Sequence, residues 1–416
     1  MMRGNDRSVL VIGAGIVGLC TGYELAGNGW EVSLFDPNPP GSQCSSGNAG
    51  ALSSGSVAPL AMPGAVKDAL TMLVDRKGPL HLPFRYWLQA APWLSSFVNA
   101  SRRERVEQIA AALHELLKDS VSSHRQLATD VGCPELIRQT GQLHLYPDAQ
   151  AMRKDDASWS LKRKYGLRME YVDAKAINAL EPAVSDNYRV GVFLPDEASV
   201  SDPLQYCKSI ADALRARGGD FVQARITSLV RSGDNWHVSD GARTWTGKHV
   251  VVSAGVWSGN LLEMLGYKIP LISQRGYHVQ VAHPGVSLSR IVVLADRKVF
   301  LNSMREGLRI AGTVEIDSIE RPLNKARALL LKDHAKAGLR NPVLENESTW
   351  MGHRPCLPDS MPVLGAAPNH PNLWCAFGHG HLGLTGSANT AKLIARALRR
   401  NSAENEISMF SVDRFS

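Results

Sequence analysis

The chain has 416 residues, 44% of them apolar and 20% charged, which excludes an intrinsically disordered protein and predicts two globular domains. The net charge is +7, and the basic residues form short clusters interrupted by acidic residues. The sequence has no zinc-finger or RNA-binding motif, so nucleic acid is excluded as a partner. Attraction to anionic lipid headgroups stays open. No apolar run reaches the roughly 18 residues of a membrane span, and we expect no signal peptide. The six cysteines include no C-x-x-C pair, which favours reduced thiols. We therefore expect a cytoplasmic protein, either free or peripheral to the inner face of the membrane.

The first elements predict a β-α-β unit. Residues 8–12 form a short apolar run rich in β-branched residues, which predicts a strand. Glycines follow, and then a helical pattern of apolar residues passes through Leu19, Tyr23 and Leu25. Residues 31–35 predict a second strand, which completes the unit almost at the first residue.

The next part of the chain predicts a helical insertion. Residues 58–127 have a mostly helical pattern, and Trp87, Trp93 and Phe97 lie in its first half. We expect these aromatic side chains to pack in a helical core, and a lid or a membrane-touching surface stays open as an alternative. Beyond the insertion, residues 141–146 and 188–194 predict strands, and residues 203–217 predict a helix.

The last part of the chain predicts a sheet-rich domain and a terminal strand and helix. Residues 250–254 predict a strand that ends at Gly255, with a helix at 257–265. Strand-like stretches at 277–281, 291–294 and 308–312 predict the second domain. Residues 373–377 predict a further strand, which a glycine-rich turn connects to a helix at 387–399.

The sequence Gly13-Ala14-Gly15-Ile16-Val17-Gly18 matches the dinucleotide-binding fingerprint. Its context strengthens the match, because it follows a predicted strand, opens a predicted helix, and has Asp36 at the end of the next strand. Gly13 permits the tight turn, Gly15 lets the backbone approach a pyrophosphate, and Gly18 allows close helix packing. Asp36 can bind the ribose hydroxyls, but FAD and NAD share this fingerprint, so other motifs must decide between them.

Three further motifs accompany the fingerprint. They are Cys44-Ser45-Ser46-Gly47-Asn48-Ala49-Gly50, Gly352-His353-Arg354-Pro355 and Gly378-His379-Gly380-His381-Leu382-Gly383-Leu384-Thr385. Together with the strand and turn at Val250 to Ser258, they resemble the D-amino-acid oxidase and dehydrogenase superfamily, most closely the bacterial D-amino-acid dehydrogenases. The resemblance runs from Val9 to about Ala397 and implies FAD as the cofactor.

The resemblance implies an α/β fold with a Rossmann-like FAD-binding domain, discontinuous in sequence, and a second α+β substrate domain built on a mostly antiparallel sheet. Residues 1–80, 195–265 and 345–416 are expected to form the FAD-binding domain. Residues 81–194 and 266–344 are expected to form the substrate-binding domain.

The same resemblance implies which residues contact FAD. Residues 221–226 resemble the strand whose last residue contacts adenine in the family, so Ile226 is expected to meet the adenine through its backbone. The small residues after Cys44 are expected to lie against the pyrophosphate and the ring. The implied contacts are Gly13, Ala14, Gly15, Ile16, Val17, Gly18, Asp36, Ser45, Ser46, Gly47, Asn48, Ala49, Gly50, Ile226, Ala254, Gly255, Gly380, Leu382, Gly383, Leu384 and Thr385.

Arg354 is the implied substrate clamp, because the arginine of the Gly-x-Arg-Pro segment binds the substrate carboxylate in the family. A planar guanidinium can hold both carboxylate oxygens at once, which an ammonium cannot. The carbonyl of His381 is the implied acceptor for the substrate amine. His353, His379 and His381 have no nearby carboxylate or cysteine partner, so no metal site is predicted.

One segment departs from the family pattern. The family often has tyrosines over the substrate in the region that corresponds to residues 298–303, where this chain has Lys298 and Phe300 and no tyrosine. Tyr277, in a segment that matches one near the flavin, is the remaining candidate for a hydroxyl. The sequence leaves open whether Tyr277 or the residues near Lys298 and Phe300 contact the substrate.

The implied reaction is oxidative deamination of a D-amino acid by hydride transfer from Cα to flavin N5, which gives an imino acid that hydrolyses to a 2-oxo acid and ammonia. The electrons then pass to oxygen or to a quinone or carrier. A glycine, sarcosine or cyclic D-imino acid (proline or hydroxyproline type) oxidase or dehydrogenase is one alternative, and a non-catalytic flavin-binding subunit is another. The sequence does not give the preferred amino acid, the acceptor or the oligomeric state.

Overall fold

The computed structural model describes residues 7–64, 78–400 and 405–415. They form a six-stranded, mostly parallel sheet and a nine-stranded, mostly antiparallel sheet, each built from separate parts of the chain. This architecture is the predicted one, a Rossmann-like unit joined to a second sheet domain. The residue limits predicted for the two domains stay a prediction.

The six-stranded sheet consists of β1 (Ser8–Ile12), β2 (Glu31–Asp36), β10 (Asp220–Gln223), β14 (His249–Val252), β20 (Val363–Ala366) and β21 (Leu373–Phe377). Its order is β10-β2-β1-β14-β21-β20, and every pair is parallel except β20 with β21. β1 and β14 are almost fully buried, as apolar strands covered on both faces are. Because β1, β2 and β14 are parallel, Ile12, Asp36 and Val252 come to the same edge of the sheet.

Helices cover one face of this sheet, and a three-stranded antiparallel sheet covers the other. Helices that share a core with β1 include Ile16–Gly27, Pro203–Ala216 and Gly383–Arg400. The smaller sheet consists of β11 (Ser228–Ser232), β12 (Asn235–Ser239) and β13 (Thr244–Gly247). Its Trp236 packs in one core with Leu10 of β1, so apolar side chains leave the central strand in both directions.

The nine-stranded sheet consists of β4 (Leu80–His81), β6 (Gln142–Tyr146), β7 (Glu170–Asp173), β8 (Val190–Leu194), β15 (Ile272–Val281), β16 (Ile291–Leu294), β17 (Val299–Met304), β18 (Gly307–Ile316) and β19 (Ser348–Cys356). Its order is β19-β15-β18-β17-β16-β6-β8-β7, with β4 beside β18, and β16–β6 and β18–β4 are its parallel pairs. One face packs on helix Lys325–Gly338 through side chains such as Val279, Leu301 and Ile310. The opposite face carries the alternate residues of the same strands.

The other described elements connect or cover these sheets. A small sheet joins β3 (Ala51–Leu52), β5 (Ile137–Arg138) and β9 (Ala198–Val200). The remaining α-helices are Trp87–Ala100, Arg103–Leu117, Ser120–Asp130, Ala149–Arg153, Asp156–Lys164, Ala174–Leu180 and Ser258–Glu263. The 3-10 helices are Phe84–Tyr86, Pro134–Leu136, Gly255–Trp257, Gly380–Leu382, Asn405–Phe410 and Val412–Phe415.

Three predicted segments differ in extent from the observed ones. The strand predicted at 221–226 ends at Gln223, because the chain turns towards the smaller sheet, where the Thr227 N–H donates to the Ser239 carbonyl at 2.8 Å. The helix predicted to begin at residue 387 begins at Gly383. Its first turn contains two glycines, and because glycine has a low helix propensity, the sequence did not predict that turn. The helix predicted at 257–265 is a 3-10 turn followed by the short helix Ser258–Glu263.

The aromatic side chains of the helical insertion have different environments. Trp93 is buried and stacks on Phe97 with ring centroids 5.2 Å apart, as helical-core packing predicts. Trp87 is 44% exposed. Residues 65–77 of the predicted insertion lie outside the described residues. None of the helices in the described part of the chain has both the length and the hydropathy that crossing a bilayer requires.

Candidate active site

The fingerprint forms a tight turn between β1 and helix Ile16–Gly27. Gly13 has φ +108°, and a Cβ atom there would lie 2.5 Å from the Ser253 carbonyl oxygen. The backbone at Gly15 has only the Ser45 hydroxyl within contact distance of a Cβ position, at 3.5 Å. A turn of this shape exposes backbone N–H groups at a helix N-terminus, where a pyrophosphate binds, so the residues present fit FAD.

Asp36 lies beside this turn at the end of β2. Its Oδ2 accepts the Ala14 N–H at 2.8 Å, and its Oδ1 accepts the Asn38 N–H at 2.8 Å. The carboxylate is partly exposed, so it keeps acceptor capacity for a ribose hydroxyl. Ile16 and Val17 follow in the first turn of the helix, and the Ile16 N–H donates to Ser45 Oγ at 2.9 Å.

We predict that Asp36→Ala weakens FAD binding by roughly 1–3 kcal/mol, because the ribose loses a charged hydrogen-bond acceptor. FAD titration of the apoprotein measures the effect. Asp220→Ala is the matched control, since Asp220 is an exposed aspartate at the opposite end of the same sheet, paired with Ser33. Equal FAD affinity in the two variants would remove Asp36 from the site.

The loop Ser45 to Gly50 lies against the nine-stranded sheet and is held there by its carbonyl oxygens. His278 Nδ1 is 3.1 Å from the Gly47 carbonyl oxygen, and Asn302 Nδ2 donates to the Ala49 carbonyl at 2.9 Å. Arg309 donates to two further carbonyls of the loop, those of Ser46 and Asn48. We call the sheet face that carries His278, Asn302 and Arg309 the site face.

Two glycines of this loop, Gly47 and Gly50, lie very close to neighbouring parts of the chain. Gly50 has φ +79°, and a Cβ atom there would lie 2.3 Å from the Val200 carbonyl oxygen. A Cβ atom at Gly47 would lie 2.2 Å from the ring of Trp350, which stacks on His278 at 5.0 Å. The loop therefore needs glycine at both positions.

The C-terminal loop reaches the same place. Thr385, in the first turn of helix Gly383–Arg400, donates its hydroxyl proton to the Ala51 carbonyl at 3.2 Å, directly after the loop Ser45 to Gly50. His124 Nε2 lies 3.2 Å from the Thr385 carbonyl oxygen. Burial lowers the pKa of His124 to about 4, so a neutral ring donates there through Nε2. Gly380, Leu382, Gly383 and Leu384 lie in or next to the 3-10 turn that precedes this contact.

Arg354 is positioned by strand pairing. It lies on β19 opposite Gln274 of β15, and its guanidinium covers Gly276, where a Cβ atom would lie 2.3 Å from Arg354 Cζ. Arg354 is half-buried, and within the described residues its guanidinium forms no hydrogen bond or ion pair. Its positive charge acts against the burial that raises the pKa of the Cys44 thiol, which places it next to the loop that Cys44 opens.

His381 completes this group. Its surface is exposed to solvent, and desolvation by the surrounding chain, together with the charge of Arg354, lowers its pKa to about 4. The structure thus brings together Arg354, His381, the loop Ser45 to Gly50 and Thr385. His379 is set apart, because it is buried with Nε2 2.9 Å from Thr390 Oγ1.

Tyr277 is placed elsewhere. It is fully buried with Val279 on the face that packs on helix Lys325–Gly338, and its hydroxyl donates to Glu315. The structure therefore does not bring Tyr277 to the site face, which carries its neighbour His278. Phe300 is on the site face, because it pairs with Ala311, which pairs with His278.

The remaining implied contacts lie along the edge of the six-stranded sheet. Ala254 and Gly255 follow β14, and a Cβ atom at Gly13 would lie 2.8 Å from Ala254 Cα. Ile226 is buried beyond the end of β10, in one core with Phe35 and Trp236. Ala254 and Gly255 are therefore next to the turn after β1, and Ile226 is next to β2, which ends at Asp36.

Sequence reasoning missed three residues that contact the loop, namely His278, Asn302 and Arg309. A signal was present, since each is a polar residue that alternates with buried apolar residues in a strand. Within the described residues no group of three or more His, Cys, Asp and Glu side chains could hold a metal ion.

Comparison with known proteins gives four related findings. The model of a family described as FAD dependent oxidoreductase (DAO) matches residues 8–397. A protein of Bradyrhizobium diazoefficiens named D-amino-acid oxidase is 37% identical over 420 residues, which cover 98% of this chain and 99% of that protein. A D-amino acid dehydrogenase of the same organism is 28% identical over 428 residues, with 98% and 99% covered. The crystal structure of glycine oxidase from Bacillus cereus has a TM-score of 0.73 at 17% identity, with 95% of this chain and 98% of that chain covered.

Proposed function

The chain belongs to the DAO family of FAD-dependent oxidoreductases, and we propose that it oxidises the C–N bond of a D-amino acid. Arg354 carries the proposal, because its guanidinium lies near Cys44 and His381 without a carboxylate partner among the described residues. A half-buried cation of this kind is stabilised by an anionic ligand. The α-carboxylate of an amino acid is such a ligand.

Each part of the substrate then has a partner in the chain. Arg354 holds both carboxylate oxygens, which fixes the orientation of Cα. The His381 carbonyl accepts an N–H of the neutral amine, and the His381 ring, neutral above its pKa of about 4, adds no second cation beside Arg354. Bound FAD supplies the hydride acceptor for the Cα–H bond. The amine loses a proton as the C–N bond becomes C=N, and water hydrolyses the imino acid to a 2-oxo acid and ammonia.

The choice of a D-amino acid is supported by the relative named D-amino-acid oxidase, which matches nearly the whole chain at 37% identity. Glycine, sarcosine and cyclic D-imino acids present the same carboxylate to Arg354, so the glycine oxidase and proline-type reactions are the alternatives. Phe300 on the site face presents an apolar ring where the family often has a tyrosine. A flavin-binding subunit without turnover is the other alternative, and an arginine kept without a protein partner argues against it.

The test is anaerobic reduction of the purified, yellow holoprotein. We expect D-amino acids to bleach the visible absorbance of the flavin, and we expect their L-enantiomers to leave it unchanged. Bleaching by glycine, sarcosine or D-proline alone would establish the alternative substrate class. A protein that no amino or imino acid of the panel reduces, although dithionite does, would be the non-catalytic subunit.

The electron acceptor is tested with the same substrates in the presence of oxygen or of an artificial dye. Turnover with dye alone would establish a quinone or carrier as the acceptor. We propose a cytoplasmic protein that associates peripherally with the inner face of the membrane, supported by the exposed side chains of Phe84 and Leu88, each 89% exposed, next to Trp87. Sedimentation of the holoprotein with anionic vesicles tests this location.

A further inference from the structure

Arg309 bridges two carbonyl groups of the loop Ser45 to Gly50. Its Nη1 donates to the Ser46 carbonyl at 2.8 Å and to the Asn48 carbonyl at 2.7 Å, while its Nε donates to Gln280 Oε1 at 2.9 Å. Gln280 is its strand partner on β15, so the guanidinium is fixed from the sheet before it reaches the loop. One cation therefore determines the orientation of two peptide groups.

The same two peptide groups carry N–H groups that have no acceptor among the described residues. All peptide bonds of the described chain are trans, so the N–H of Gly47 points opposite to the Ser46 carbonyl, and the N–H of Ala49 opposite to the Asn48 carbonyl. Among residues 7–64, 78–400 and 405–415 no atom accepts either N–H. Both therefore point away from Arg309 and are available to a ligand.

Three other N–H groups of this loop, those of Ser46, Asn48 and Gly50, are already used. The Ser46 N–H donates to Gln43 at 3.1 Å, the Asn48 N–H to Ser45 at 3.3 Å, and the Gly50 N–H to the Asn48 side chain at 2.7 Å. From Ser46 to Gly50 used and free donors therefore alternate, and both free donors belong to the peptides that Arg309 bridges. If this turn bound no ligand, nothing would explain why the peptides that Arg309 bridges are left with unpaired N–H groups.

We propose that Arg309 is a positioning residue for the cofactor, which aims and polarises the N–H groups of Gly47 and Ala49 so that they donate to acceptor atoms of bound FAD. A cation on a carbonyl oxygen strengthens the donor at the other end of the same peptide group. The reduced flavin carries negative charge, and donors and cations close to it stabilise that charge. Burial lowers the pKa of Arg309 to about 10, so the guanidinium stays charged at neutral pH.

Arg309→Met tests the proposal through two readouts that do not depend on the substrate. We expect the Kd of FAD for the Arg309→Met apoprotein to be at least about tenfold higher than for the wild-type apoprotein, because charged hydrogen bonds are lost. We also expect the midpoint potential of the bound flavin to become more negative, because the reduced form loses the cation and two aligned donors. Arg309→Lys keeps the charge but not the bridging fork, so its potential should lie between the two.

Arg327→Met is the matched control. Arg327 is a buried arginine whose guanidinium donates to the Gly78 carbonyl at 2.9 Å and to Thr313, away from the loop. We expect it to lower thermal stability and to leave the midpoint potential unchanged. A potential and an FAD affinity in Arg309→Met equal to those of Arg327→Met would overturn the proposal. If the methionine variant does not fold, wild-type values of both quantities in Arg309→Lys would overturn it.

Discussion

Replacing Arg354 with alanine should lower kcat/KM for the amino acid substrate by an amount that corresponds to about 2–5 kcal/mol, with normal FAD content. The guanidinium is half-buried over Gly276 and has no protein partner among the described residues, so the substrate carboxylate would be left desolvated and unpaired. Arg354→Lys should recover only part of the loss, because an ammonium is a point charge and does not match both oxygens of a carboxylate. Steady-state kinetics of the three proteins with the same substrate measure the effect.

The control for this series is Arg305→Ala. Arg305 is an exposed arginine at the turn between β17 and β18, so its removal should leave kcat/KM within about twofold of the wild type. Arg275 does not offer a second clamp, since it is fully buried and paired with Glu315 at 3.1 Å. If Arg354→Ala bound FAD and kept wild-type kcat/KM, the carboxylate would be bound elsewhere and the proposed role of Arg354 would be wrong.

Local sequence patterns predicted the elements around the fingerprint turn. The strands at Ser8–Ile12 and Leu373–Phe377 are apolar runs next to glycine turns, so their consecutive residues predict that they are buried. The fingerprint glycines are equally local, because the shape of one turn requires them. The resemblance then predicted the FAD-binding fold and its discontinuity in the chain, which the structure and the family match confirm.

The position of Tyr277 depended on which face of a strand it occupies. Its alternate neighbours Val279 and Val281 are apolar and buried, whereas His278 and Gln280 lie between them. Strand alternation therefore indicates that Tyr277 shares the core face with the valines and that His278 faces the site. A match to a family segment gives the strand but not the face, since a shift of one residue exchanges the two.

Local sequence patterns could not predict the contacts between segments that are far apart in the chain. Arg309 and the loop Ser45 to Gly50 are more than 250 residues apart, and only the register of β18 against β15 brings the guanidinium to the Ser46 and Asn48 carbonyls. A strand register is set by the whole sheet, including a bulge between Gly276 and Tyr277. A single sequence therefore gives the polar residue on the strand but not the partner it meets.

Replacing Gly18 with alanine should strongly destabilise the protein and weaken FAD binding, by more than the roughly 1–3 kcal/mol of an ordinary overpacked core. A Cβ atom at Gly18 would lie 1.9 Å from the Gly13 carbonyl oxygen and 2.7 Å from Ser253 Oγ. The first of these is backbone, so no side-chain rotation relieves the clash, and helix Ile16–Gly27 must move away from β1. That movement also displaces the turn whose N–H groups face the pyrophosphate. Thermal unfolding of the apoprotein and FAD titration measure the two effects.

Gly22→Ala, one turn later in the same helix, separates this clash from the general effect of a glycine-to-alanine change. A Cβ atom at Gly22 would lie 3.1 Å from Leu214 Cδ2, the end of a flexible side chain that can shift by a few tenths of an ångström. Alanine is favoured over glycine inside a helix by roughly 0.5–1 kcal/mol, so Gly22→Ala should be close to neutral or stabilising. We therefore expect the two substitutions to change the free energy of unfolding in opposite directions, or at least by very different amounts. Equal stability and equal FAD affinity in Gly18→Ala and Gly22→Ala would show that close approach of this helix to the Gly13 turn is not what the site requires.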